Sequence, residues 1–213
     1  MTRLRPSLAF ILILFIVSCK EAPKQETSNR AVNTPVRDTS TNTQPEVIPN
    51  AYAQVDISPM DMSYFPVDYP KLKMTRETVA PPVARVIYSR PHLQRRHFHD
   101  ILKYDEPWRL GANESTEIDF YRPVTILGKK VAVGRYILYC IPHPESWTIV
   151  LNANIDTWGL KQDSSKDVQH FEIPVVRNNP SLEYFTMVFE KSATGADLVT
   201  GWDDVVARLP ISF

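Results

Sequence analysis

The sequence predicts an all-β protein, a mostly antiparallel β-sandwich of jelly-roll type, and three observations carry that prediction. From Val83 onward, short runs rich in β-branched and aromatic residues are separated by Pro, Asn, Asp or Gly, the spacing of strands and turns. Within one run, Thr116, Ile118 and Phe120 alternate with Glu117, Asp119 and Tyr121, a period of two that gives a strand one buried and one wet face. No stretch carries a helical period, apart from a turn or two around His99 to Tyr104. Many short strands at this spacing favour two facing layers over an open sheet.

Composition bounds the rest. A chain of 213 residues with 43% hydrophobic content holds one sizeable core. Lys plus Arg and Asp plus Glu are 24 each, so no basic field draws in nucleic acid and no nucleic-acid partner is expected. Six glycines stand against eighteen prolines, and neither GxGxxG nor GxxxxGK[ST] occurs; nucleotide cradles are missing and no cofactor is predicted.

Taken in order, residues 1–18 read as a lipoprotein signal peptide. Arg3 and Arg5 precede an uncharged run from Leu8 to Val17, shorter than the roughly twenty apolar residues that cross a bilayer. Ile16, Val17 and Ser18 before Cys19 resemble the lipobox of bacterial lipoproteins, which implies cleavage before Cys19 and a lipid on its sulfur. That makes the membrane a partner through Cys19. It places the chain in the bacterial envelope, at the outer membrane, on its periplasmic or its surface face. Lys20 and Glu21 partly resemble the export signal of surface lipoproteins in Bacteroidetes. With Cys19 modified, Cys140 has no disulfide partner and reads as a buried apolar thiol.

Residues 19–54, rich in Thr, Asn, Pro, Gln, Ser and Glu, bury too little to offset their ordering entropy and read as a flexible tether. Residues 55–213 form a single domain. Its first part, 55–82, has aromatic residues and methionines among prolines and is expected as an extended leader packed on the domain. Strands are expected over Ala84–Ser89, Thr116–Arg122, Val124–Leu127, Arg135–Ile141, Thr148–Asn152, Val168–Val175, Tyr184–Glu190 and Val205–Leu209. Leu127 to Lys130 make a hairpin, and Gly134 a corner.

With YSRP at Tyr88–Pro91, WRLGANE at Trp108–Glu114, GRYILYCIP at Gly134–Pro142, WTIVLN at Trp147–Asn152 and WG at Trp158–Gly159, the chain resembles the domain of unknown function 2911 family, found mostly in Bacteroidetes. The resemblance runs from about Ser58 to Phe213 and implies no particular activity. The chain departs from the family at Arg95 and Asp105, where glycine is usual, and at His99, which follows Phe98 in place of glycine.

WRLGANE supports two readings. As a structural latch, Trp108 fills the end of the fold while Arg109 and Glu114 pair across a turn built on Gly111 and Asn113. As a binding site, Arg90, Arg109, Asn113 and Glu114 are polar contacts in a pocket walled by Tyr88 and Trp108, suited to a glycan or a small anion. His97 and His99, on one face of a strand, are a weak metal pair, and no metal site is assigned. Without a GxSxG elbow, and with acids that alternate along a strand, an enzyme is the minor expectation. The expected function is an envelope-anchored lipoprotein acting as a small-ligand or glycan-binding or structural module. The alternative is a hydrolase of envelope glycans or glycopeptides with Glu114 as acid or base. Trp147 and Trp202 read as core anchors, and Trp158 less so because Gly159 follows it.

Overall fold

The computed structural model describes residues 56–213; the signal peptide, Cys19, the tether over 19–54 and Val55 of the leader lie outside the described residues. In chain order the elements are β1 (Met60–Phe65), α1 (Tyr69–Thr75), β2 (Ala84–Ser89), α2 (Phe98–Ile101), β3 (Glu117–Phe120), β4 (Val124–Ile126), β5 (Lys129–Val131), β6 (Gly134–Pro142), β7 (Ser146–Asn152), β8 (Asp167–Lys191) and β9 (Gly195–Ser212). All paired strands are antiparallel, in the order β1-β2-β3-β6-β7-β8-β9-β4-β5. The antiparallel all-β expectation holds. No helix among the described residues is long and apolar enough to cross a membrane.

The sheet does not stay open. Strands β2 and β8 are separated by β3, β6 and β7, which would hold them ~19 Å apart in a flat sheet. Yet the Tyr88 and Phe185 rings, one on each strand, lie 5.7 Å apart edge to face. Just past β2, Leu93 N donates to Glu183 O at 3.0 Å and Phe185 N to Pro91 O at 2.9 Å. The sheet therefore curls until the end of β2 meets β8. Its inner face closes on one core that includes Val86, Ile118, Leu138, Trp147, Phe171, Phe185, Trp202 and Leu209.

Several elements differ from expectation for definable reasons. The leader begins as a true edge strand: β1 pairs with β2 from Met60 opposite Ser89 to Phe65 opposite Ala84. The helix α1 that follows buries no side chain, so it leaves no apolar period to read; Pro70 sits in its first turn and Lys73 covers the rings of Tyr64 and Tyr69. The runs expected at Val168–Val175 and Tyr184–Glu190 are one strand. The turn-like residues between them are taken up by register shifts between Arg177 and Leu182 and between Leu182 and Thr186. At the β4–β5 hairpin, Leu127 (φ 46°) and Gly128 (φ 78°) are the two left-handed central residues of a tight turn, as expected.

In and beside β3, Thr116, Ile118 and Phe120 are buried as the alternation predicts, and Tyr121 is exposed. Asp119, expected on the wet face, is buried instead. It lies directly opposite Arg85 of β2 and Arg135 of β6, accepting from Arg85 Nη2 at 2.6 Å and from Arg135 Nε at 3.0 Å. A carboxylate on a central strand is desolvated by its neighbours, and flanking arginines at the same register compensate it. Against the lowering effect of burial, the bonds to Asp119 raise the Arg85 guanidinium; the same carboxylate raises Arg135.

Candidate functional site

WRLGANE joins the core at its first residue. Trp108 N donates to Cys140 O at 2.7 Å and Cys140 N to Trp108 O at 2.8 Å, a two-bond bridge onto β6. The indole lies inside, stacked on Trp202 at 5.7 Å and meeting Phe185 (5.0 Å), Trp147 (5.9 Å) and Phe98 (6.2 Å) edge to face. Its Nε1 donates to Gly111 O at 3.1 Å.

The turn that follows is bent tightly. Leu110, fully buried, has φ 54°, and Asn113 has φ 59°. A leucine in the left-handed region costs about 1–2 kcal/mol, so its neighbours must hold it there. Thr116 Oγ1 does so by donating to Leu110 O at 2.6 Å. Gly111 lies so close to β2 that a Cβ there would sit 2.9 Å from Ser89 Oγ and 3.1 Å from Ser89 O, which requires glycine. Ser89 Oγ in turn accepts from Ala112 N at 2.8 Å and donates to Ala112 O.

The residues proposed as one pocket are placed apart. Tyr88 is buried against Phe185, with its hydroxyl 3.4 Å from Asp61 Oδ2. Arg90 is occupied by Asp61 Oδ2, Phe185 O and Thr186 Oγ1. Asn113 Nδ2 donates to Asp56 Oδ2 at 2.6 Å. Trp108 and Arg109 line a recess of about 280 Å³, together with Pro91, Ile101, Leu102, Pro107, Gly111, Ala112, Gly159, Leu160 and Trp202. Glu114 lines a different recess, of about 410 Å³, with Glu117, Asp156, Ser115, Thr157, Met60 and Ile87.

Arg109 and Glu114 form no ion pair. The guanidinium, half-buried, makes one hydrogen bond among the described residues, from Nη1 to Trp158 O at 3.4 Å. Burial lowers its pKa, and Glu114 offsets this in part from a distance. The orienting contact thus comes from the 153–162 loop, which is fastened by Gln162 Nε2 on Gly159 O at 3.0 Å and Asn152 Nδ2 on Asp163 O at 2.8 Å. Gly159, at φ 78°, lies over Ser115, whose buried Oγ has no hydrogen-bond partner.

His97 and His99 lie on no strand. His97 caps α2 and His99 is its second residue, and their rings stack at 5.6 Å. His97 Nδ1 is 3.3 Å from Oδ2 of Asp203, a buried β9 residue with φ 52°. Asp203 also accepts from Phe98 N at 2.9 Å and Ser181 Oγ at 2.6 Å. Burial alone would raise this carboxyl, but these donors hold it below the ordinary value. Among the described residues, no group of three or more His, Cys, Asp or Glu is arranged to hold a metal. Sequence reasoning missed Leu160, Trp202 and Asp203 at these sites, because their partners lie far away in the chain. For Gly159 the WG pair was the visible signal.

Together these features define an antiparallel β domain built around an aromatic cluster, with a half-buried arginine at the rim of that cluster. The chain belongs to the domain of unknown function 2911 family, described as a protein of unknown function, whose family model matches residues 70–211. No curated protein and no solved structure matches. Arg95 and Asp105 hold the backbone that glycine favours, at φ 67° and φ 64°.

Proposed function

We propose that this protein is a lipid-anchored component of the bacterial envelope whose β domain binds a small ligand in the recess between Trp108 and Arg109. The observation that carries the binding reading is Arg109: a guanidinium partly withdrawn from water beside two indoles, with a single long bond to a carbonyl and no carboxylate partner among the described residues. Such a group keeps free N–H donors at the mouth of the recess for an incoming acceptor. Calorimetry with Arg109→Gln and Trp108→Ala beside the parent tests it. A binder loses affinity in both variants and shows no turnover. Equal affinity in all three proteins rules the recess out.

The anchor rests on the run from Leu8 to Val17 followed by Cys19. Mass spectrometry of membrane-extracted protein should find a chain that begins at a diacylglyceryl Cys19, and Cys19→Ser should release the protein from the membrane fraction. A uniformly unmodified Cys19 rules the anchor out. Protease treatment of intact cells separates the outer-membrane faces, since a surface protein is cut and a periplasmic one is not.

A second reading, a hydrolase of envelope glycans or glycopeptides, is supported by Glu114, Glu117 and Asp156 sharing one recess. Paired carboxylates at an open recess are the arrangement acid–base hydrolysis uses. It requires turnover that disappears in Glu114→Gln.

A further inference from the structure

We infer that the ligand of the Trp108–Arg109 recess is a small organic carboxylate: one planar apolar body, of about a single ring, carrying one anionic head that binds Arg109. This rests on the binding reading above and adds the chemical class.

The class follows from what the walls can offer. Both indole N–H groups are already used internally, Trp108 Nε1 on Gly111 O at 3.1 Å and Trp202 Nε1 on Glu183 O at 3.2 Å. They offer a ligand no donor, and as core residues, Trp202 1% and Trp108 8% exposed, they close the apolar floor of the recess. Pro91, Ile101, Leu102, Pro107 and Leu160 supply apolar side chains, Arg109 is the charged one, and of the backbone at Gly111, Ala112 and Gly159 the Gly111 and Gly159 carbonyls and both Ala112 groups are already bonded internally. A sugar needs several donors and acceptors around its rim, and leaving its hydroxyls unpaired against such walls costs about 1–3 kcal/mol each. An apolar body leaves nothing unpaired there. At about 280 Å³ the recess is smaller than the ~300–1,000 Å³ of drug-sized sites and suits a body of about one ring.

The head group is set by Arg109. The 3.4 Å bond to the Trp158 carbonyl uses one N–H of a five-donor fork at near-limiting length. A carboxylate meets that fork with two parallel, charge-assisted bonds and displaces the carbonyl. Trp158, half exposed and next to Gly159, is positioned to report the exchange.

The test is calorimetry on the full-length protein with phenylacetate, its neutral isostere phenylacetamide, acetate and N-acetylglucosamine, repeated with Arg109→Gln and Arg109→Lys. Backbone amide shifts of Gly159 and Leu160 locate any binding. Phenylacetate is expected to bind at least tenfold more tightly than either phenylacetamide or acetate. Arg109→Gln should bring phenylacetate down to the level of the amide, and Arg109→Lys should fall between, since it keeps the charge and loses the fork. Three outcomes overturn the carboxylate class while leaving the recess a binding site: amide and acid binding alike, acetate matching phenylacetate, or the sugar binding where the acids do not. If no probe gives heat or moves the Gly159 and Leu160 amides, the binding reading falls and this inference with it.

Discussion

At the scale of single residues, two exposed side chains sit on a backbone that glycine favours. Arg95 and Asp105 hold left-handed φ values of 67° and 64°, a region where a side chain costs about 1–2 kcal/mol and glycine almost nothing. Arg95 is exposed, so Arg95→Gly removes this cost and loses no packing. We expect it to raise stability by about 0.5–1 kcal/mol in urea denaturation, once the greater freedom of glycine in the unfolded chain is subtracted. Asp105→Gly should gain less, because the Asp105 carboxylate also meets His143 Nδ1 at 2.5 Å. An Arg95→Gly protein that melted earlier than its parent would contradict this account. Asp203 is the opposite case, a left-handed side chain kept for its bonds. Its carboxyl is held below the ordinary value, so the stability it supplies is present above the unfolded pKa, about 3.9, and is lost as pH falls through the lower folded value. Asp203→Asn should therefore cost about 1–3 kcal/mol at pH 7 and converge on the parent as pH falls through the lowered folded value. A constant difference across that range would mean that charge plays no part.

At the scale of elements, strands were legible where a run of β-branched and aromatic residues is bounded by turn residues, as in β2, whose bounds match the expected Ala84–Ser89. Legibility failed where turn-type residues sit inside a strand. The Asn, Pro and Ser residues of β8 form bulges, and neighbouring β9 keeps the ladder going beyond them. The site was half legible for a related reason. WRLGANE marks its own turn, but its contacts come from the 153–162 loop and from Trp202, with no local pattern to link them. That loop makes a separable prediction. A Cβ at Gly159 would run into Ser115 Oγ, at a φ of 78°. Gly159→Ala should cost about 2 kcal/mol or more, from backbone strain and the clash. Ser115→Ala should be neutral or stabilising by up to ~1 kcal/mol, since it removes a buried hydroxyl with no partner. Combined, they should recover only the part of the clash made by Ser115 Oγ, since Arg109 Cβ at 3.2 Å and Ser115 Cβ at 3.3 Å remain. Complete recovery in the double variant would show that φ strain is not the main cost.

At the scale of the whole molecule, the curl of the sheet makes one aromatic cluster serve both faces. Trp108 from the WRLGANE turn, Trp147 from β7, Phe185 from β8 and Trp202 from β9 share it, so the halves of the strand order should unfold together. Cys140 offers a direct reading of that cooperativity. It lies on β6, bridged to Trp108, fully buried, with its thiol pushed up by burial, so it reacts only when this part of the core opens. Trp202→Ala removes a fully buried indole on the other side of the cluster and should cost about 3–5 kcal/mol. If the core is one unit, the rate of Cys140 labelling under native conditions, followed by peptide mass, should rise by about two to three and a half orders of magnitude in that variant, at about 1.4 kcal/mol per tenfold. Trp158→Ala removes a half-exposed indole from the loop and should leave the rate unchanged. Equal acceleration by both variants would place Cys140 under the control of the loop; no acceleration by Trp202→Ala would mean that β6 opens independently of β9. Either result would divide a core that the geometry joins.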